Sequence, residues 1–112
     1  MTGFDQLVAA AVGAIPEPFA SRLDSVAIVI DEESPPGRLF GLYQGVPRTA
    51  YGAESAAVAN KITIFRRTLE WVHRDPAALA RAVEETVFHE VAHHFGISDA
   101  RLRELQHEAS RR

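Results

Sequence analysis

The 112-residue sequence has no cysteine, one methionine, one tryptophan and a single lysine, Lys61. Without cysteine there are no disulfides and no thiolate ligands, so any metal has to be held by histidine, aspartate or glutamate. No apolar run reaches the ~20 residues needed to cross a bilayer. The amino-terminal stretch MTGFDQLVAAAVGAIPEP has no basic leader, carries Asp5 ahead of its apolar part and is broken by Gly13 and Pro16. We therefore expect neither a signal peptide nor a membrane partner, and a cytoplasmic location. A formal charge of -3 and a pI near 5.9 leave no basic stripe beyond the terminal Arg111 and Arg112, which argues against nucleic acid as a partner. The excess of arginine over lysine and the many alanines fit a GC-rich bacterial genome. With 46% hydrophobic residues, the chain suits one domain over residues 1–112 with a small core.

Phe4, Leu7, Val8, Ala11, Val12 and Ile15 recur at helical spacing, with Thr2 and Asp5 placed as a capping box and Pro16 and Pro18 as the stop. The run Val26 to Ile30 suits a strand covered on both faces. RLFGLYQG reads as a second strand, in which Gly41 and Gly45 mark a bulge or a close backbone approach. A long loop spans Val46 to Asn60. KITIFRR, residues 61–67, alternates like a strand with two different faces, and we expect it at a sheet edge, where Ile62 to Phe65 could pair with an extended substrate. Asp75 and Pro76 start a long helix that runs to Gly96, and Ala100 to Ala109 form a last helix with Leu102 and Leu105 facing inward. The expected fold class is α+β: one helix, about three strands, then two helices.

The segment FHEVAHHFGISD, residues 88–99, carries the chemistry. His89 and His93 stand one turn apart, so their imidazoles can converge on one ion. Glu90 points along the adjoining flank, where it reaches a metal-bound water without ligating the metal. A catalytic zinc usually takes three protein ligands, and Gly96 lets the chain turn back so that Asp99 can supply a carboxylate. Asp99 has a second role open to it, as N-cap of the last helix, and Ser98 could cap instead. His89 and His93 read structurally are boundary histidines, and Glu90 a half-buried acid paired with arginine. His94 falls over the core face with Val83, Val87 and Val91, which favours a packed, hydrogen-bonded histidine over a ligand. His73 and His107 have no motif around them and are expected in solvent.

HEVAHHFGISD, GLYQGVP (residues 41–47) and KITIFRRTLE (residues 61–70) together resemble the small bacterial zincin-like metallopeptidases, or mini-zincins, with the Asp-zincin motif HExxHxxGxxD. The likeness extends to the first helix and to VAIVI, so it covers most of the chain. It implies a minimal zincin-like domain with a small sheet beside the active helix. It also implies a zinc ion held by His89, His93 and Asp99, with Glu90 as the catalytic acid and base. Two departures accompany it. Met1 is the only methionine, so the methionine turn of larger zincins is missing, and the family's LTxR after GLYxGxP reads RTAYG here.

The expected function is zinc-dependent peptide hydrolysis, in which a zinc-activated water attacks the scissile carbonyl and Glu90 serves as general base. Its partner is a peptide or protein substrate, on a monomer or homodimer. Tyr43 and Tyr51 are oxyanion candidates by chemistry alone. The alternative is a non-catalytic, zincin-shaped module that binds a protein or peptide, since so small a domain has little room for a deep cleft.

Overall fold

The computed structural model describes residues 3–23, 25–45, 60–98 and 100–104. Its elements are α1 (Phe4–Gly13), a 3-10 turn (Ala20–Arg22), β1 (Val26–Asp31), β2 (Gly41–Gln44), β3 (Asn60–Phe65), α2 (Arg66–Val72) and α3 (Pro76–His94). Residues 100–104 are helical again. This is the expected α+β architecture. No helix among the described residues is long and apolar enough to cross a membrane. Asn60, expected to close the long loop, is the first residue of β3, while residues 46–59, Tyr51 among them, and Asp99, Leu105 and His107 lie outside the described residues.

The three strands form one sheet in the order β1-β3-β2, with β3 parallel to β1 and antiparallel to β2. This corrects two expectations. KITIF is the central strand, paired on both sides, and cannot take a substrate along its edge. VAIVI is an edge strand among the described residues, where Ile28 and Ile30 are half-buried and Ala27 is exposed. Strand order is set by non-local pairing, which an apolar run does not report.

Register puts Ile28, Ile62 and Tyr43 across one row of the sheet, and Ile30, Ile64 and Gly41 across the next. The fully buried Ile62 and Ile64 meet Val83, Val87 and Val91 of α3 and Phe4, Val8 and Ala11 of α1 in a single core. The helix wheel of α3 is thus borne out. Burying side chains of this size contributes about 1.5–3 kcal/mol each, set against the ordering entropy of the chain.

The helix ends follow local chemistry. At α1 the cap is Gly3, whose N–H donates to Gln6 Oε1 at 3.0 Å, rather than the expected Thr2 with Asp5; having no side chain, glycine forms only the return half of a capping box. At α3 the Asp75 carboxylate accepts from the Ala78 N–H at 2.9 Å, with Pro76 in the first turn. The helix ends at His94, two residues short of the expected glycine. There Ile97 N–H bonds Ala92 O and Gly96 N–H bonds His93 O, both at 2.9 Å, with Gly96 at φ 77°. That is a Schellman motif, which needs the left-handed conformation glycine accepts. The expected strand through residue 67 stops at Phe65, and α2 follows without a linker. Leu69 anchors α2 in the core, and Arg66 holds Glu32 through two nitrogens at 2.6–3.0 Å.

Candidate metal centre

His89, Glu90 and His93 come together on the α3 flank that β2 runs along. Their potential ligand atoms all lie within 4.8 Å of one another, the one such group of three among the described residues. The two imidazole centroids are 4.6 Å apart with the rings at 70°. Both histidines are half-buried, whereas the Glu90 side chain is nearly covered, with Oε1 3.4 Å from His93 Nδ1.

The close approach of β2 explains that burial. A Cβ placed on Gly41 would sit 2.8 Å from Thr86 Cγ2 and 3.1 Å from Glu90 Cγ, so only glycine lets the strand lie against this turn of the helix. Thr86 satisfies its own hydroxyl by donating to Ala82 O at 2.7 Å. Gly45 works the same way at the other end of β2. Its φ is 140°, and a Cβ there would strike the Asn60 side chain. Asn60 Oδ1 instead accepts from Tyr43 Oη at 3.1 Å, and the same hydroxyl lies 3.1 Å from His94 Nδ1. Burial pushes the Tyr43 phenol above its ordinary pKa. With one partner on each side, this hydroxyl ties β2, β3 and α3 together. His94 is fully buried, edge-on to Tyr43 and Phe95, as its place on the helix wheel implied.

Two open hollows flank the histidines. One, of about 320 Å³, is lined by Phe40, Gly41, Glu85, Thr86, His89 and Glu90. The other, of about 350 Å³, is lined by Tyr43, Gly45, His93, Gly96, Ile97 and Ser98. Sequence reasoning missed Glu85 and Thr86, although each stands four residues before a motif residue and hence on the same helix face. Phe40 carried no such signal. His73, expected in solvent, is half-buried with its ring 5.6 Å from that of Phe40.

The third ligand expected, Asp99, lies outside the described residues. Ser98 Oγ accepts from the Arg101 N–H at 3.1 Å and so caps the helical turn that follows.

The donor set suits zinc. Two imidazoles one turn apart, open on both sides and with no thiolate, are ligands that a borderline ion accepts. A three-stranded α+β sheet laid against a helix bearing His-Glu-x-x-His defines a zincin-type domain. The family model for zincin-like metallopeptidases matches residues 20–109, and the chain belongs to that family. No curated protein matches the sequence.

Proposed function

We propose that the protein is a zinc-dependent peptidase that hydrolyses peptide bonds between β2 and α3. The observation that supports this most directly is the convergence of His89, Glu90 and His93 beside β2, one edge of which has no strand partner among the described residues. His89, His93 and Asp99 are the proposed ligands. With Glu90 beside His93 Nδ1, Nε2 is the His93 nitrogen left for the ion. A zinc ion held there supplies Lewis acidity, lowering the pKa of a coordinated water toward ~7 and polarising the substrate carbonyl.

The chain's own residues supply the rest. The Glu90 carboxylate takes a proton from the attacking water and hands it to the departing amine as the C–N bond breaks. The strand that aligns substrate is β2. Phe65 N–H bonds Phe40 O at 2.9 Å, so by antiparallel alternation Leu42 faces β3 while Gly41 and Tyr43 turn their backbone groups to the other side. That side has no strand partner among the described residues, and an extended peptide can pair there.

Replacing Glu90 with Gln tests the assignment, because the amide fills nearly the same space but takes no proton. We expect zinc content to be unchanged and turnover of an unstructured protein to fall about 10²–10⁴-fold. Parental turnover in the variant would remove Glu90 as the base.

A further inference from the structure

A third hollow shares Phe40 with the one beside His89. It measures about 790 Å³, more than twice the about 320 Å³ beside His89, and its lining includes Pro35, Arg38, Phe40, Arg67, Trp71 and Val72. Its apolar floor is open, with Trp71 67% and Val72 54% exposed. Large apolar side chains left bare along a groove mark a binding surface more often than chance exposure. Trp71 is held in place: the Arg74 guanidinium stacks 4.7 Å from its ring and donates to its carbonyl oxygen.

The charges of the groove are uneven. Arg67 is paired with Glu33 at 2.8 Å, so those two cancel. Arg38 has no ion pair or hydrogen bond among the described residues, and it lines the groove from a left-handed turn, with Gly37 at φ 113° and Arg38 at φ 55°. A cation with no partner among the described residues, lining the same groove as an apolar floor, is complementary to an apolar side chain next to a carboxylate.

Continuity with the cleft says what would carry those groups. Phe40 immediately precedes Gly41, the first residue of β2, and a chain paired along that strand advances ~3.3 Å per residue, so it reaches the groove within a residue or two of Gly41. We propose that the groove is a specificity subsite of the same cleft, taking a large aromatic or aliphatic side chain of the bound peptide, with Arg38 holding an acidic residue beside it. This rests on the peptidase reading for the alignment of the peptide along β2.

Trp71 is the only tryptophan in the chain, so its emission reports on the groove alone. The probes are three unstructured peptides identical except for one dipeptide: Phe-Asp, Ala-Asp or Phe-Lys. They are titrated into the zinc-loaded Glu90→Gln protein and given to the parent as substrates. Binding of the Phe-Asp peptide should shift Trp71 emission to the blue, and the Ala-Asp peptide should bind about tenfold more weakly. Arg38→Asp, chosen because aspartate tolerates the left-handed backbone, should transfer the preference to the Phe-Lys peptide. Trp71→Ala should abolish discrimination between the Phe-Asp and Ala-Asp peptides in kcat/KM, with a thermal melt matching the parent's.

Emission that does not move when peptide binds, or cleavage preferences that are the same in parent, Trp71→Ala and Arg38→Asp, would overturn the subsite while leaving the peptidase reading intact. A Phe-Asp peptide that binds with all the expected selectivity but is never cleaved would keep the groove as a peptide site and sink the peptidase reading.

Discussion

Gly41 is the residue on which the geometry of the site turns. Its missing side chain lets β2 reach the helix at Glu90, so Gly41→Ala must push either the strand or the carboxylate aside. We expect a loss of about 1–3 kcal/mol, as for other overpacked positions, and a fall in turnover larger than any fall in zinc affinity. Denaturant melts beside zinc titration check it, and an alanine variant as active and stable as the parent would mean that the contact relaxes freely. Tyr43 makes a second residue-scale prediction. Removing its hydroxyl deletes the hydrogen bond to Asn60, so Tyr43→Phe should cost about 0.5–1.5 kcal/mol. The raised phenol pKa adds a sign. A group protonated longer in the folded state than in the unfolded one contributes stability that is complete below the unfolded pKa near 10.0 and is lost as pH rises through the folded value. The parent should therefore weaken on the alkaline side more steeply than Tyr43→Phe, as read from stability measured against pH.

Among the elements, β3 gives the cleanest test. Because it is paired on both sides, Thr63→Pro removes a donor from the middle of the sheet, and the domain, whose total stability is on the order of 5–15 kcal/mol, should unfold. Circular dichroism would detect this, and a folded variant that has lost only peptide binding would restore the edge placement. What the sequence disclosed at this scale divides by range. Both ends of α3 were legible because Asp75, Pro76 and Gly96 act within a turn of where they stand. The inward stripe of Val83, Val87 and Val91 was legible because 19 residues carry several periods. The seven residues of α2 carry two turns, one buried anchor and no side-chain cap, so no local signal separated them from the strand before them. Sheet order was invisible for a different reason. Thr63 is buried between Val29 and Leu42, partners 34 and 21 residues away by subtraction of their numbers, and nothing near position 63 reports on them.

Over the whole molecule, the core reaches beyond the family match. That match begins at residue 20, yet Phe4, Val8, Ala11 and Ile15 from the segment before it are buried in the same core as α3. The helix that carries the motif is therefore held by α1 as well as by β2 and β3. His89, Glu90 and His93 were legible from spacing alone, because one turn of helix fixes their relation; the hollows beside them were not, because Phe40 arrives from another element. The central claim is that this framework presents a zinc site, and metal content tests it most directly. Protein purified without chelator and saturated with zinc, then freed of excess, should hold one zinc per chain by elemental analysis. His89→Ala and His93→Ala should lose it, and Asp99→Asn should bind it much more weakly, since a neutral amide is a poorer ligand than a carboxylate. A folded parent that takes up no zinc, or histidine variants that hold as much as the parent, would contradict the account.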